Sequence, residues 1–167
     1  LQILDDGGTG YATLGWIPLP WSAYNNADGQ VRPACGDFDG DGRDEIVVGL
    51  GPFPSAGGFL HIWDDKVAGF ARLGWIHMSA GPYNAANGET RPACGDVDGD
   101  GRDEIVIGTG TYPANGGFVN ILDDARSTPP HALVGWTRLG WSAYNAFDGQ
   151  VRPACGDVDG DGRAEIV

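Results

Sequence analysis

Basic side chains are scarce in this chain. Ten Lys and Arg stand against 23 Asp and Glu, for a formal charge of −13 in 167 residues. The basic residues form no run, which argues against nucleic-acid binding. No apolar stretch approaches the ~20 residues that span a bilayer, so membrane insertion is not expected. The sequence does not begin with Met and shows no signal peptide, so it reads as a mature or excised piece. There are three Cys and three His. The His (His61, His77, His131) do not recur at a common spacing, and no Gly-x-Ser-x-Gly, phosphate-loop or His-Glu-x-x-His pattern occurs. A catalytic role is therefore not expected. Helical periodicity is absent throughout.

What the chain has is glycine, proline, tryptophan and repetition. The 29 Gly and 11 Pro predict many turns, and six Trp argue against disorder. The block Arg32 to Val47 returns at Arg91 to Val106 and again at Arg152 to Val167, spaced by 59 and 61 residues. Only two columns vary among the copies: Phe38/Val97/Val158 and Asp44/Asp103/Ala164. Trp16, Trp75 and Trp136 keep phase with it, as do Tyr24, Tyr83 and Tyr144. Such regularity marks one supersecondary unit used repeatedly.

Each unit reads as four short strands. In the first full copy these are Gln30–Cys35, Glu45–Gly49, Phe59–Trp63 and roughly Gly69–His77. The second holds the β-branched run Ile46-Val47-Val48. A Gly/Pro loop, Leu50–Gly58, follows it, and a polar loop, Met78–Gly88, leads to the next unit. Tandem four-stranded units predict an all-β propeller. The expected division is a half-blade at 1–29, blades at 30–88 and 89–149, and a half-blade at 150–167. The end halves are complementary, strands three and four against one and two. Three blades do not close a ring, so a homodimer completing six blades is expected; a fragment of a longer chain is the rival account.

The Asp-rich loop between strands one and two carries the chemistry. In Asp37-x-Asp39-x-Asp41-Gly42-Arg43-x-Glu45, oxygens stand at positions 1, 3, 5 and 9, with a main-chain carbonyl available from Arg43. The copies are Asp96, Asp98, Asp100, Arg102, Glu104 and Asp157, Asp159, Asp161, Arg163, Glu165. A carboxylate-rich, oxygen-only set suits Ca²⁺ over Zn²⁺. One Ca²⁺ per repeat is expected. Twelve of the 23 acidic residues sit at these positions, and three Ca²⁺ would move the charge from −13 to −7. Position 8 is Asp, Asp or Ala, so it is not expected to be a ligand. EF-hand and dockerin loops share the spacing but lead into a helix; here Glu-Ile-Val follows, a strand.

Gly-Asp-x-Asp-Gly-Asp-Gly-x-x-Glu-Ile-Val-x-Gly resembles the FG-GAP (VCBS-type) repeat of integrin α-subunit propellers and bacterial surface proteins. The Gly49-Leu50-Gly51-Pro52 and Gly108-Thr109-Gly110-Thr111 segments only approximate its second signature. The resemblance implies a propeller, calcium in the loop after each first strand, and an extracellular or cell-surface role in adhesion or recognition of protein or glycan. A purely structural assembly unit is the alternative.

Other recurring positions stay open. Cys35, Cys94 and Cys155 could be zinc ligands or disulfide partners, but the odd count and isolated spacing favour small buried apolar residues on the innermost strand. Asp5-Asp6, Asp64-Asp65 and Asp123-Asp124 could hold a cation, or simply end strands. Trp21, Tyr24, Asn25, Tyr83, Asn84, Trp141, Tyr144 and Asn145 could form a ligand face away from calcium, or wedge between blades as core. Trp16, Trp75 and Trp136 are expected in the core.

Overall fold

The computed structural model describes residues 1–6, 10–113, 115–127 and 130–167. The elements are β1 (Gln2–Leu4), β2 (Thr13–Trp16), α1 (Ser22–Ala27), β3 (Val31–Gly36), β4 (Glu45–Leu50), β5 (Phe59–Trp63), β6 (Arg72–His77), α2 (Gly81–Ala86), β7 (Thr90–Gly95), β8 (Glu104–Thr109), β9 (Phe118–Leu122), β10 (Leu133–Arg138), α3 (Ser142–Phe147), β11 (Cys155–Gly156) and β12 (Glu165–Ile166). The strands form four antiparallel sheets: β1-β2, β3-β4-β5-β6, β7-β8-β9-β10 and β11-β12.

Strand alternation explains how the sheets stack. Every residue of β4 and β8 is buried, because both faces of these strands are covered. Successive side chains then enter different cores. Val47 joins Leu60, Ile62, Ile105 and Ile107 in the core between the four-stranded sheets. Its neighbours Ile46 and Val48 point the other way, to Ile17 and Trp63. In β8, Ile105 and Ile107 face the first core, while Val106 meets Val119 and Val151. The apolar run thus feeds two interfaces at once.

Backbone links continue the stacking. Asp103 N donates to Asp37 O at 2.9 Å, Ala164 N to Asp96 O at 2.7 Å and Val151 N to Thr109 O at 2.8 Å. The sheets approach so closely that a side chain at Gly108 would collide with the Val151 carbonyl.

Three sequence expectations need correction. The polar connectors contain a short helix each, α1 to α3, of six residues. One and a half turns show no readable period, and none has a side-chain cap bond. Trp16, Trp75 and Trp136 are not core: they are 70, 56 and 62 % exposed. They lie on β2, β6 and β10, and β6 and β10 are edge strands of their sheets. The cysteines are not uniformly buried: Cys35 is exposed, and all three are free thiols. Cys94 lies against Gly36 and Cys155 against Gly95 of the preceding unit, contacts that Cys35 lacks among the described residues. Burial at this position depends on the neighbouring unit.

Candidate metal centres

Each Asp-rich loop is wound by its own carboxylates. Asp37 Oδ1 accepts Gly40 N at 2.7 Å and Asp41 N at 3.2 Å, and its Oδ2 accepts Gly42 N at 2.9 Å. Asp96 and Asp157 repeat the pattern on Gly99, Gly101, Gly160 and Gly162. Gly42 adopts φ +86°, a left-handed conformation that a β-carbon would strain. Such winding turns alternate side chains toward one point.

The convergence is measurable. Carboxylate oxygens of Asp37, Asp39 and Asp41 lie within 4.8 Å of one another, as do those of Asp96, Asp98 and Glu104, and of Asp157, Asp159 and Glu165. Positions 1 and 3 appear in all three groups, position 9 in two and position 5 in one. At position 5, Asp41 and Asp100 also face the guanidinium two residues on, Arg43 and Arg102.

The glutamate at position 9 tests whether a cation fits. Glu45 and Glu104 are both 2 % exposed. One oxygen of each accepts a loop amide, Phe38 N at 2.9 Å and Val97 N at 2.8 Å. The other oxygen of Glu104 is buried without a hydrogen-bond partner. Burial, with nearby Asp charges adding to it, pushes both carboxyls up to about 7. A buried carboxylate aimed into an acidic loop with an unmet oxygen fits a hard divalent cation, and the all-oxygen donor set excludes a thiophilic metal.

Residues 37–107 match the family model described as an FG-GAP-like repeat. That stretch is similar to an FG-GAP-like repeat. The matched stretch contains the first two acidic loops and strands β4 to β7, and ends within β8. No curated protein matches the chain.

Two elements of these acidic loops were not legible in the sequence. Position 8 joins units: Asp103 Oδ2 accepts Asp37 N at 3.2 Å, and Ala164 stands against Gly95. The arginine at position 7 reaches the second Asp of the strand-ending pair. Arg102 bonds Asp124, and Arg43 lies 3.5 Å from Asp65. Those pairs also cap their own turns, Asp65 Oδ1 accepting Ala68 N and Asp124 Oδ1 accepting Arg126 N. The recurrence of Arg and Asp-Asp in phase was the available signal.

The eight residues expected at a ligand face separate into two groups. Tyr24 has no exposed surface, and Tyr83, Asn84 and Asn145 are buried. Their polar atoms serve the backbone: Asn84 Nδ2 donates to Met78 O at 2.7 Å and Asn145 Nδ2 to Leu139 O at 2.7 Å. Half-buried Tyr144 bonds Gln150 O at 2.9 Å, and exposed Asn25 bonds Leu19 O at 2.8 Å. These side chains hold the connectors in place and, Asn25 apart, present little or no free polar surface. Trp21 packs its ring 5.2 Å from both Phe53 and Phe59. Trp141 stacks on Tyr144 and stays 68 % exposed.

In the middle unit Ala80 replaces that tryptophan. A cleft of about 260 Å³ opens there, lined by Ala80, Tyr83, Tyr112, Asn115, Phe118 and Trp136 among others. Tyr112 and Phe118 are the counterparts of Phe53 and Phe59. The first unit fills with its own indole the space that the second leaves open.

Proposed function

We propose that the chain is a non-catalytic, extracellular recognition module built as a β-propeller, stabilised by one Ca²⁺ in each acidic loop and binding a glycan through the cleft at Ala80. The cleft is the observation that carries the reading. An indole fits the equivalent space in the first unit, and a pyranose ring has similar dimensions. Aromatic faces from Tyr112, Phe118 and Trp136 suit the apolar face of a sugar, with Asn115 beside them for its hydroxyls. The metal would be held by the Asp at positions 1, 3 and 5 and the Glu at position 9. It would neutralise the loop carboxylates and lock the turn between first and second strands.

The experiment is a glycan array on calcium-loaded protein beside Ala80→Trp. The substitution copies the first unit, so it should fold normally and abolish binding. Undiminished binding by the variant removes the cleft from the reading. An array with no hits, while peptides bind in an Ala80→Trp-sensitive way, replaces glycan by protein as the ligand. No binding of either kind leaves the structural assembly unit.

For assembly, we propose two copies closing a ring of six units. The support is the repeated contact between units. Cys94 covers Gly36 and Cys155 covers Gly95, while Cys35 is exposed and Gly156 has open space beside it. In a closed ring of two copies, Cys35 of one copy would meet Gly156 of the other. Light scattering should give twice the 17.5 kDa chain mass; a calcium-loaded monomer at micromolar concentration overturns the dimer.

A further inference from the structure

The repeat places an arginine at the start of each first strand. Arg32 and Arg91 are the second residues of β3 and β7, and Arg152 is their counterpart ahead of β11. With Pro92 and Pro153, the three arginines line a single open cavity of about 370 Å³. Three of the ten basic residues of an acidic chain converge there. The acidic loops begin five residues further on, about 17 Å along an extended strand. That exceeds the ~8–10 Å screening length of ordinary buffers, so the loops do not neutralise the cavity.

Local partners do not balance the charge either. Among the described residues one carboxylate is ion-paired to them: Glu89 pairs with both Arg32 and Arg91, the latter at 2.9 Å. At the equivalent positions of the other units stand Gln30 and Gln150. Gln30 Oε1 accepts from Arg32 at 3.1 Å, and Gln150 Oε1 accepts from Arg91 at 2.8 Å and Arg152 at 3.3 Å. Amides satisfy hydrogen bonds without neutralising the guanidiniums they bond. Arg91 is 8 % exposed, and its Nε is buried with no hydrogen-bond partner. A guanidinium that is both buried and incompletely bonded is costly, and an anion relieves both deficits.

We propose that Arg32, Arg91 and Arg152 form a binding site for a tetrahedral oxyanion, a sulfate or phosphate group, distinct from the metal loops and from the cleft at Ala80. Guanidinium forks match such oxygens bidentately, and three forks around one cavity exceed what a monovalent halide uses. Glu89 keeps the site from being maximally basic and sets its affinity.

The test is calorimetric titration of calcium-loaded protein with sodium sulfate, against sodium chloride at equal ionic strength. A sulfated monosaccharide forms a second arm. Sulfate should bind saturably and chloride should not. Gln150→Glu should weaken sulfate at least tenfold. Its fold is safeguarded, because Glu89 already occupies the equivalent position in the middle unit. Glu89→Gln should tighten binding, and Arg152→Met, at an exposed position, should weaken it. Sulfated sugar binding as well as or better than sulfate identifies a sulfated glycan as the source; free sulfate alone identifies a small anion. Absence of saturable binding in both arms, or an affinity unchanged by Gln150→Glu, overturns the site.

Discussion

Tyr83 and Gly110 are joined across 27 residues: the tyrosine hydroxyl accepts the Gly110 amide at 2.6 Å while donating to Glu89 O at 2.6 Å. One buried oxygen thereby ties the connector before β7 to the loop after β8. Tyr24 makes the same bridge to Gly51 and Gln30 in the first unit.

Removing that oxygen leaves a buried amide and a buried carbonyl without a partner. Tyr83→Phe should therefore destabilise by about 1–3 kcal/mol. For a chain of this size each kcal/mol is worth ~2–4 °C, so calorimetry should record a clear fall in Tm. Metal content should stay constant. A Tm within one degree of the parent would show that water replaces the hydroxyl.

The metal loops predict a contrast between adjacent residues. On the proposed occupancy, Glu104→Gln should reduce bound calcium from three to two per chain, because it would remove an anionic oxygen from the ion's donor set. Asp103→Ala should leave three, since Asp103 contacts Asp37 of the neighbouring unit and Ala164 is the natural residue in the third loop. Native mass spectrometry counts the ions. Equal losses from both variants would reverse the assignment of positions 8 and 9.

If the loops hold calcium as proposed, chelation should lower Tm markedly, because such an ion would bind the folded loops in preference to the unfolded chain. Adding calcium back should restore it. A melting curve indifferent to excess EGTA, starting from loaded protein, excludes a structural metal.

His61 predicts an acid sensitivity. It is buried between β4 and β6, stacks on Trp63 at 5.6 Å, and neither ring nitrogen has a hydrogen-bond partner. Burial, reinforced by Arg72, lowers its pKa from 6.5 to about 4. The unfolded chain then binds a proton that the folded chain refuses. The contribution is fully present above pH 6.5 and is lost as pH falls toward 4. Asn120 stands at this position in the next unit. His61→Asn should flatten the dependence of Tm on pH between 6.5 and 4, by a few degrees relative to the parent. Parallel curves would place the acid sensitivity elsewhere.

The parts of the fold legible in sequence were those specified locally. Phe59–Trp63 has the bounds its apolar run indicates, and β4 extends the Glu45 run by one residue. The acidic loops were readable because ligand spacing and glycine turns lie within nine residues. Features that depend on two units were not. Cys94 meets Gly36 across 58 residues, and nothing near either residue announces the contact. The repeated tryptophans of β2, β6 and β10 carried the regularity of core residues. Their position on outer strands follows from strand order, which no local pattern encodes. The empty space at Ala80 was visible as a missing Trp, but only the packing of Trp21 shows what that absence creates.

The first strands carry arginine at one end and lead into the acidic loops at the other. Unlike charges fixed at opposite ends of the same rigid strands give the molecule a permanent electric dipole moment. Near a charged surface it is therefore oriented, presenting its loops to a cationic matrix and its arginines to an anionic one. Filling the loops with divalent cations would erase much of the negative pole and turn this alignment down. Metal occupancy would then govern how strongly the molecule is aligned.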